Sequence, residues 1–393
     1  MSLIGINPLL EEPNDPLLAQ AVRGSTVALA RATRPDFIHN RNSPVEWTPD
    51  DWQGLEAGRR ELFDMAAVRA QFDREQFLVD GYAILAGVMH PQAARRWREA
   101  LQRGQALNDA LLCGDWSAID WRGLGRTPPE QELTAEEIEA ALGRCQKAPQ
   151  KSDIAGVQWL RWHSVFAEYF PAGHVPFCMD LLTHPQMLEL QRLCLGRQEL
   201  HLDHNQMLNR PGGYAGGSWH SHMIFDDCDQ AGVATIAEYD DQPNFNLTLC
   251  YPDGFTAGDD GGLKVIRGSH LFRDPQGCRA ATDEEMEAGW MRGRRHPVTG
   301  VPLAIEQLEL PPGSIVSCLS HAAHCVAPKA VGRPTRWCTL ACYRVAAADG
   351  SLPAPHSVPP VWAMKAQRGE LPPVLTGLLR SSFDRDLTSG TNH

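Results

Sequence analysis

Leu303-Ala304-Ile305-Glu306-Gln307-Leu308-Glu309-Leu310, then Pro311-Pro312-Gly313, then Ser314-Ile315-Val316-Ser317-Cys318-Leu319: two short apolar-rich runs broken by Pro-Pro-Gly. Prolines and a glycine punctuate the chain here, so the stretch reads as strand, turn, strand. The same pattern extends upstream through Leu200–Leu208, Ser218–Phe225, Val233–Tyr239, Phe245–Tyr251 and Leu263–Arg267, and downstream to Trp337–Val345. Arg210-Pro211-Gly212-Gly213 is another such turn cluster. About eight short strands following a helical half predict a mainly β fold with α, a β-sandwich or jelly-roll barrel flanked by helices.

The N-terminal half carries helix signals. Thr48-Pro49-Asp50-Asp51 offers a hydroxyl cap, proline at the first helical position and acids in the first turn. Phe77-Leu78-Val79-Asp80-Gly81-Tyr82-Ala83-Ile84-Leu85 turns at Asp-Gly into a short apolar strand, and Pro91–Gln102 is amphipathic. Thr134-Ala135-Glu136-Glu137 is a capping box. Thr183-His184-Pro185 opens a further helix, which Gly196 is placed to close in a left-handed conformation. These signals divide the chain into an arm with a helix (1–70), a principal domain (71–345) and a Pro-rich tail (346–393).

With 36 Lys+Arg against 48 Asp+Glu the formal charge is −12, which argues against nucleic acid or an anionic membrane as partner. The apolar run Ala83–Val88 is far short of the roughly 20 residues of a transmembrane helix. Met1–Leu10 lacks the basic start of a signal peptide, so a cytoplasmic location is expected. The 11 cysteines include no Cys-x-x-Cys pair and read as reduced, mostly buried thiols.

The chemistry gathers around histidines. In Trp219-His220-Ser221-His222, strand alternation sends His220 and His222 to one face and Ser221 to the other, which makes half of a metal site. The competing reading is two ordinary polar residues at a strand end. A second cluster, His321-Ala322-Ala323-His324, follows the strand Ser314–Leu319, and a barrel brings such distant strands to one mouth. Arg336, which leads the last strand, suits a carboxylate through its planar fork; the alternative is a surface ion pair.

Four pieces in order resemble the phytanoyl-CoA dioxygenase family of iron(II)- and 2-oxoglutarate-dependent oxygenases. They are Phe77–Leu85; Trp219-His220; Gly261-Gly262-Leu263-Lys264-Val265-Ile266-Arg267-Gly268-Ser269-His270; and Pro312-Gly313-Ser314 through His324-Cys325-Val326-Ala327-Pro328-Lys329 to Arg336. The resemblance implies a double-stranded β-helix (jelly-roll, cupin-like) core with N-terminal helices packed on it. It implies His220 and His324 as iron ligands and Arg336 as the partner of the distal carboxylate of 2-oxoglutarate, with Arg333 as competing candidate. His321 and His270 fall at non-ligand positions.

The family's His-x-Asp is here His220-Ser221-His222, which removes the carboxylate of the usual two-His-one-carboxylate triad. Either His222 ligates as a third imidazole, or Asp203, Asp226, Asp227 or Glu238 supplies a carboxylate, or metal binding is lost. Asn205, on the preceding strand, is a candidate contact for the co-substrate, with a plain turn-flanking role as its alternative. The implied reaction consumes O2 and 2-oxoglutarate, releases succinate and CO2, and oxidises a small molecule. A cupin-like binding protein without turnover is the other class. Phe225–Asn246 and Arg273–Pro302 read as long insertions of the kind that cover a barrel mouth. Within the second, Arg292-Gly293-Arg294-Arg295-His296 is either a solvated loop or an attractor for an anionic substrate.

Overall fold

The computed structural model describes residues 49–112, 162–163, 176–210, 212–221, 243–272, 278–319, 321–346 and 366–380. Six strands pair in the order β1 (Tyr82–Leu85), β9 (Ser314–Leu319), β5 (Phe245–Tyr251), β11 (Arg336–Arg344), β3 (His201–Arg210), β2 (Trp162–His163). A second sheet has five, in the order β7 (Arg279–Ala280), β4 (Trp219–His220), β10 (His324–Ala327), β6 (Gly262–Ile266), β8 (Ile305–Gln307). Every described pairing is antiparallel.

Side-chain alternation explains why two sheets form. Leu247, Leu249 and Tyr251 of β5, Val316 and Cys318 of β9 and Cys338, Leu340 and Cys342 of β11 share one core with Leu263 and Val265 of β6. That core lies between the layers. The opposite face of the six-stranded sheet, including Cys250, Ile315, Ala341 and Tyr343, packs on the helices. These are α1 (Pro49–Ala57), α2 (Met65–Gln71), α3 (Arg74–Asp80), α4 (Pro91–Leu112), α5 (Pro176–Thr183), α6 (Pro185–Leu195) and α8 (Pro373–Leu378). Gly196, at φ 68°, closes α6, and His184 caps its start by accepting from Gln186 N.

A third cluster covers the outer face of the five-stranded sheet: Trp219, Ile266, Ala323 and Cys325 against Cys278, Met286 and Met291. The described part of the 273–302 insertion, with α7 (Asp283–Ala288), therefore covers the back of this sheet, where the sequence suggested a loop at the mouth. Its basic run is partly structural. Arg294 stacks on Phe272 and Trp290 at 5.0 and 4.4 Å, and His296 is buried.

Among the described cysteines seven are free and buried, and burial pushes the thiols of Cys194, Cys318 and Cys338 up to about 12. Such thiols pack as small hydrophobes and are poor nucleophiles. No described helix is long and apolar enough to cross a membrane. The Thr134 capping box and the Val233–Tyr239 run lie outside the described residues.

Candidate metal centre

Alternation along β4 and β10 builds the centre. Trp219 and Cys325 belong to the outer core, so their neighbours His220 and His324 face between the sheets. The two are paired directly in register, and their ring centroids lie 4.4 Å apart. His324 Nδ1 is 2.8 Å from Ala322 O and His220 Nδ1 is 3.0 Å from Ser218 O. A carbonyl only accepts, so both Nδ1 atoms carry the proton and both Nε2 atoms carry the lone pair, the arrangement of a metal-binding imidazole. Burial, reinforced by His220, lowers the His324 imidazole to about 3 and so keeps it neutral, the ligating form.

Among the described residues no group of three His, Cys, Asp or Glu forms a metal cage. The other sequence candidates, His222, Asp226, Asp227 and Glu238, lie outside the described residues. Asp203 is differently engaged. It is the extra residue of a β-bulge opposite Cys342 and Tyr343, fully buried, and ion-paired with Arg344 at 2.5 Å. Arg344 also stacks on Phe245 at 4.8 Å. His321 sits in the turn before β10, not on the strand, and interacts electrostatically with His270.

Arg336 and Arg333, equivalent candidates by type, part company on burial. Arg333 lies exposed in a turn, whereas Arg336 is 5% exposed at the start of β11. Its Nη1 donates to the backbone carbonyl of Asp260 at 2.7 Å, and its guanidinium lies 5.2 Å over the Phe255 ring. The Asp260 carboxylate is occupied elsewhere, by the buried Lys329 ammonium and by Thr256 N at 3.3 Å. Arg336 therefore has no carboxylate within ion-pair distance among the described residues. Burial pulls its guanidinium below the ordinary range, and Arg210 adds to that shift.

Arg210 is the site residue that sequence reasoning missed. Read there as part of a turn cluster, it ends β3 in register with Arg336, buried, with Tyr214 under its guanidinium at 4.7 Å. A basic residue closing a strand before Pro-Gly-Gly was the available signal. Asn205 pairs in register with Ala341, a member of the helix-side core, and its side chain lies outside the description.

No family profile matches the chain, and no curated protein does. Among solved structures it resembles AviO1 from Streptomyces viridochromogenes Tue57 (16% identity, 74% of this chain and 98% of that one, TM-score 0.41). HygX from Streptomyces hygroscopicus with iron bound is similar at 14% identity over 70% of this chain and 87% of that one, TM-score 0.39. EctD from S. alaskensis with 2-oxoglutarate and 5-hydroxyectoine is similar at 17% identity over 81% and 84%, TM-score 0.40. At such identities and TM-scores the likenesses do not assign chemistry, which rests on the side chains themselves.

Proposed function

We propose that this protein is an Fe(II)- and 2-oxoglutarate-dependent oxygenase on a jelly-roll core, hydroxylating a small molecule. The observation that carries the reading is the buried Arg336 guanidinium, which lacks a carboxylate partner among the described residues and belongs to the same fold interior as a pair of Nε2-directed histidines. A buried charge is costly unless paired, and a guanidinium fork matches a carboxylate. A Cβ built on Gly261 would lie 2.9 Å from Ala327 O and 3.1 Å from Arg336 Nη1, so the guanidinium stands near the far end of β10. Three residues of strand from His324 is roughly 10 Å. A five-carbon diacid chelating a metal at one end and meeting Arg336 at the other suits that separation.

His220 and His324 would hold iron through Nε2, with His222 or a carboxylate of Asp226, Asp227 or Glu238 completing the set. Iron held there would supply O2 activation coupled to decarboxylation of 2-oxoglutarate, the chemistry that would convert C–H to C–OH with succinate and CO2 as co-products. The chain's own residues hold the parts. Arg336 grips the distal carboxylate, Arg210 deepens the positive potential there, and Leu247, Leu249 and Leu340 supply an apolar, water-poor interior.

The test is an anaerobic titration with Fe(II) and then 2-oxoglutarate. Arg336→Ala should keep Fe(II) affinity and lose 2-oxoglutarate affinity by about 2–5 kcal/mol, tenfold for every 1.4 kcal/mol. Unchanged 2-oxoglutarate binding in that variant overturns the assignment. The His222 departure favours one second reading, a metal-binding cupin-like protein without turnover. Metal and 2-oxoglutarate binding with no succinate release across a broad substrate panel would support it.

A further inference from the structure

The strand that presents His220 is two residues long and meets β10 through a single register pair, His324 with His220. On its other edge β4 pairs only with the equally short β7, Trp219 with Ala280 and His220 with Arg279, so contacts on the sheet's outer face add to the hold on His220. There Trp219 is 1% exposed, and its indole Nε1 donates to Asp283 Oδ1 at 2.8 Å. The other carboxylate oxygen, Oδ2, accepts from Lys264 Nζ at 2.5 Å. Trp219 belongs to β4 and Lys264 to β6, the two neighbours of β10, and Lys264 is in register with Cys325 beside His324. One carboxylate thus bridges the strands on both sides of the histidine strand. Burial acts to raise the Asp283 carboxyl, but the Lys264 and Trp219 hydrogen bonds outweigh it and hold the group ionised.

We propose that Asp283 is a positioning residue for the His220–His324 pair, setting the spacing of β4 and β6 about β10 through Trp219 and Lys264. The inference rests on the metal reading above. Because successive residues on a strand face opposite sides, fixing the Trp219 ring from behind fixes the direction in which His220 leaves the backbone. Partners of this kind, one step removed from the metal, typically change metal affinity by about 10–100-fold when removed.

The experiment measures Fe(II) affinity of the metal-free full chain by anaerobic titration, with thermal unfolding of the same metal-free samples alongside. Asp283→Ala should weaken Fe(II) binding by about 10–100-fold. Asp283→Asn, which keeps an oxygen for the indole, should recover part of that loss. Trp219→Phe removes the indole donor while retaining an aromatic ring and should weaken binding comparably, which keeps the proposal testable if Asp283→Ala does not fold. Thr282→Ala is the control. It removes the hydroxyl that accepts from Glu285 N at 3.2 Å and should lower the unfolding temperature while leaving Fe(II) affinity intact. Wild-type Fe(II) affinity in both Asp283→Ala and Trp219→Phe overturns the proposal alone, as does an equal loss in Thr282→Ala. Failure of the wild-type protein to bind Fe(II) overturns the metal reading and this inference with it.

Discussion

His321 and His324 look interchangeable in the sequence, three positions apart around two alanines, yet the backbone gives them different tasks. His324 opens β10 opposite His220, whereas His321 lies in the preceding turn near His270. His324→Ala should therefore abolish tight Fe(II) binding, because it removes one of the few protein ligands, and His321→Ala should retain it. Anaerobic calorimetry with Fe(II) reads both, and equal losses would move the centre elsewhere. The type and spacing of the histidines stand in the sequence, but the pairing of His324 with His220 depends on β10 meeting β4, which no local period shows. The sequence puts Arg336 ahead of Arg333 because it leads the last strand, but the burial that separates them was not legible there. Asp203 could not be weighed from the sequence either, because its engagement with Arg344 depends on a bulge that only strand pairing creates.

Elements were read best where local chemistry punctuates them. The Asp80-Gly81 break is the clearest case. Gly81 sits at φ 84°, and a Cβ there would collide with the His270 ring, so glycine is required twice over. β10 was missed as a strand because it spans only four residues between a turn and Pro328, too short to show a period. Leu303–Leu310 reads as one strand, yet only Ile305–Gln307 pairs with β6, and the backbone of Leu310 turns to Phe255 instead. Least visible of all was how α6 docks on the six-stranded sheet. Fully buried Gln191 donates to Thr248 Oγ1 at 2.7 Å and accepts from Asn246 Nδ2 at 2.8 Å, and Thr248 continues to Ser317 Oγ at 3.2 Å. On a helix, glutamine is commonly a surface residue, so its burial follows from tertiary pairing alone. Gln191→Leu keeps the shape but strips these buried groups of a partner, and should cost about 1–3 kcal/mol in urea unfolding. A loss within error of zero would mean that the network reorganises around leucine.

On the scale of the whole molecule, the two sheets and the helices are joined through a seam of buried histidine. The expectation of a β core with N-terminal helices packed on it said nothing of what binds the end of β6 to α3. His270 follows β6 and is fully buried, with Nε2 at 2.7 Å from Leu78 O of α3. Burial, assisted by the nearby His321 and His296, lowers its imidazole from 6.5 to about 3. The sign of the consequence follows from linkage. As pH falls below 6.5 the unfolded chain takes up a proton at this position while the folded chain does not. The stabilisation from His270 is therefore complete above 6.5 and is lost progressively between 6.5 and about 3. Within that window it contributes a slope of about 1.4 kcal/mol per pH unit. Glutamine at this position retains an amide donor for the Leu78 carbonyl and does not titrate. Urea unfolding of metal-free protein at a series of pH values from 7 down to 5, before most carboxylates protonate, should show wild-type stability falling more steeply than that of His270→Gln. By pH 5 the gap between the two curves should have narrowed by about 2 kcal/mol relative to pH 7. Parallel curves would show that His270 takes up its proton in the folded protein as readily as in the unfolded chain, and that the seam opens to water.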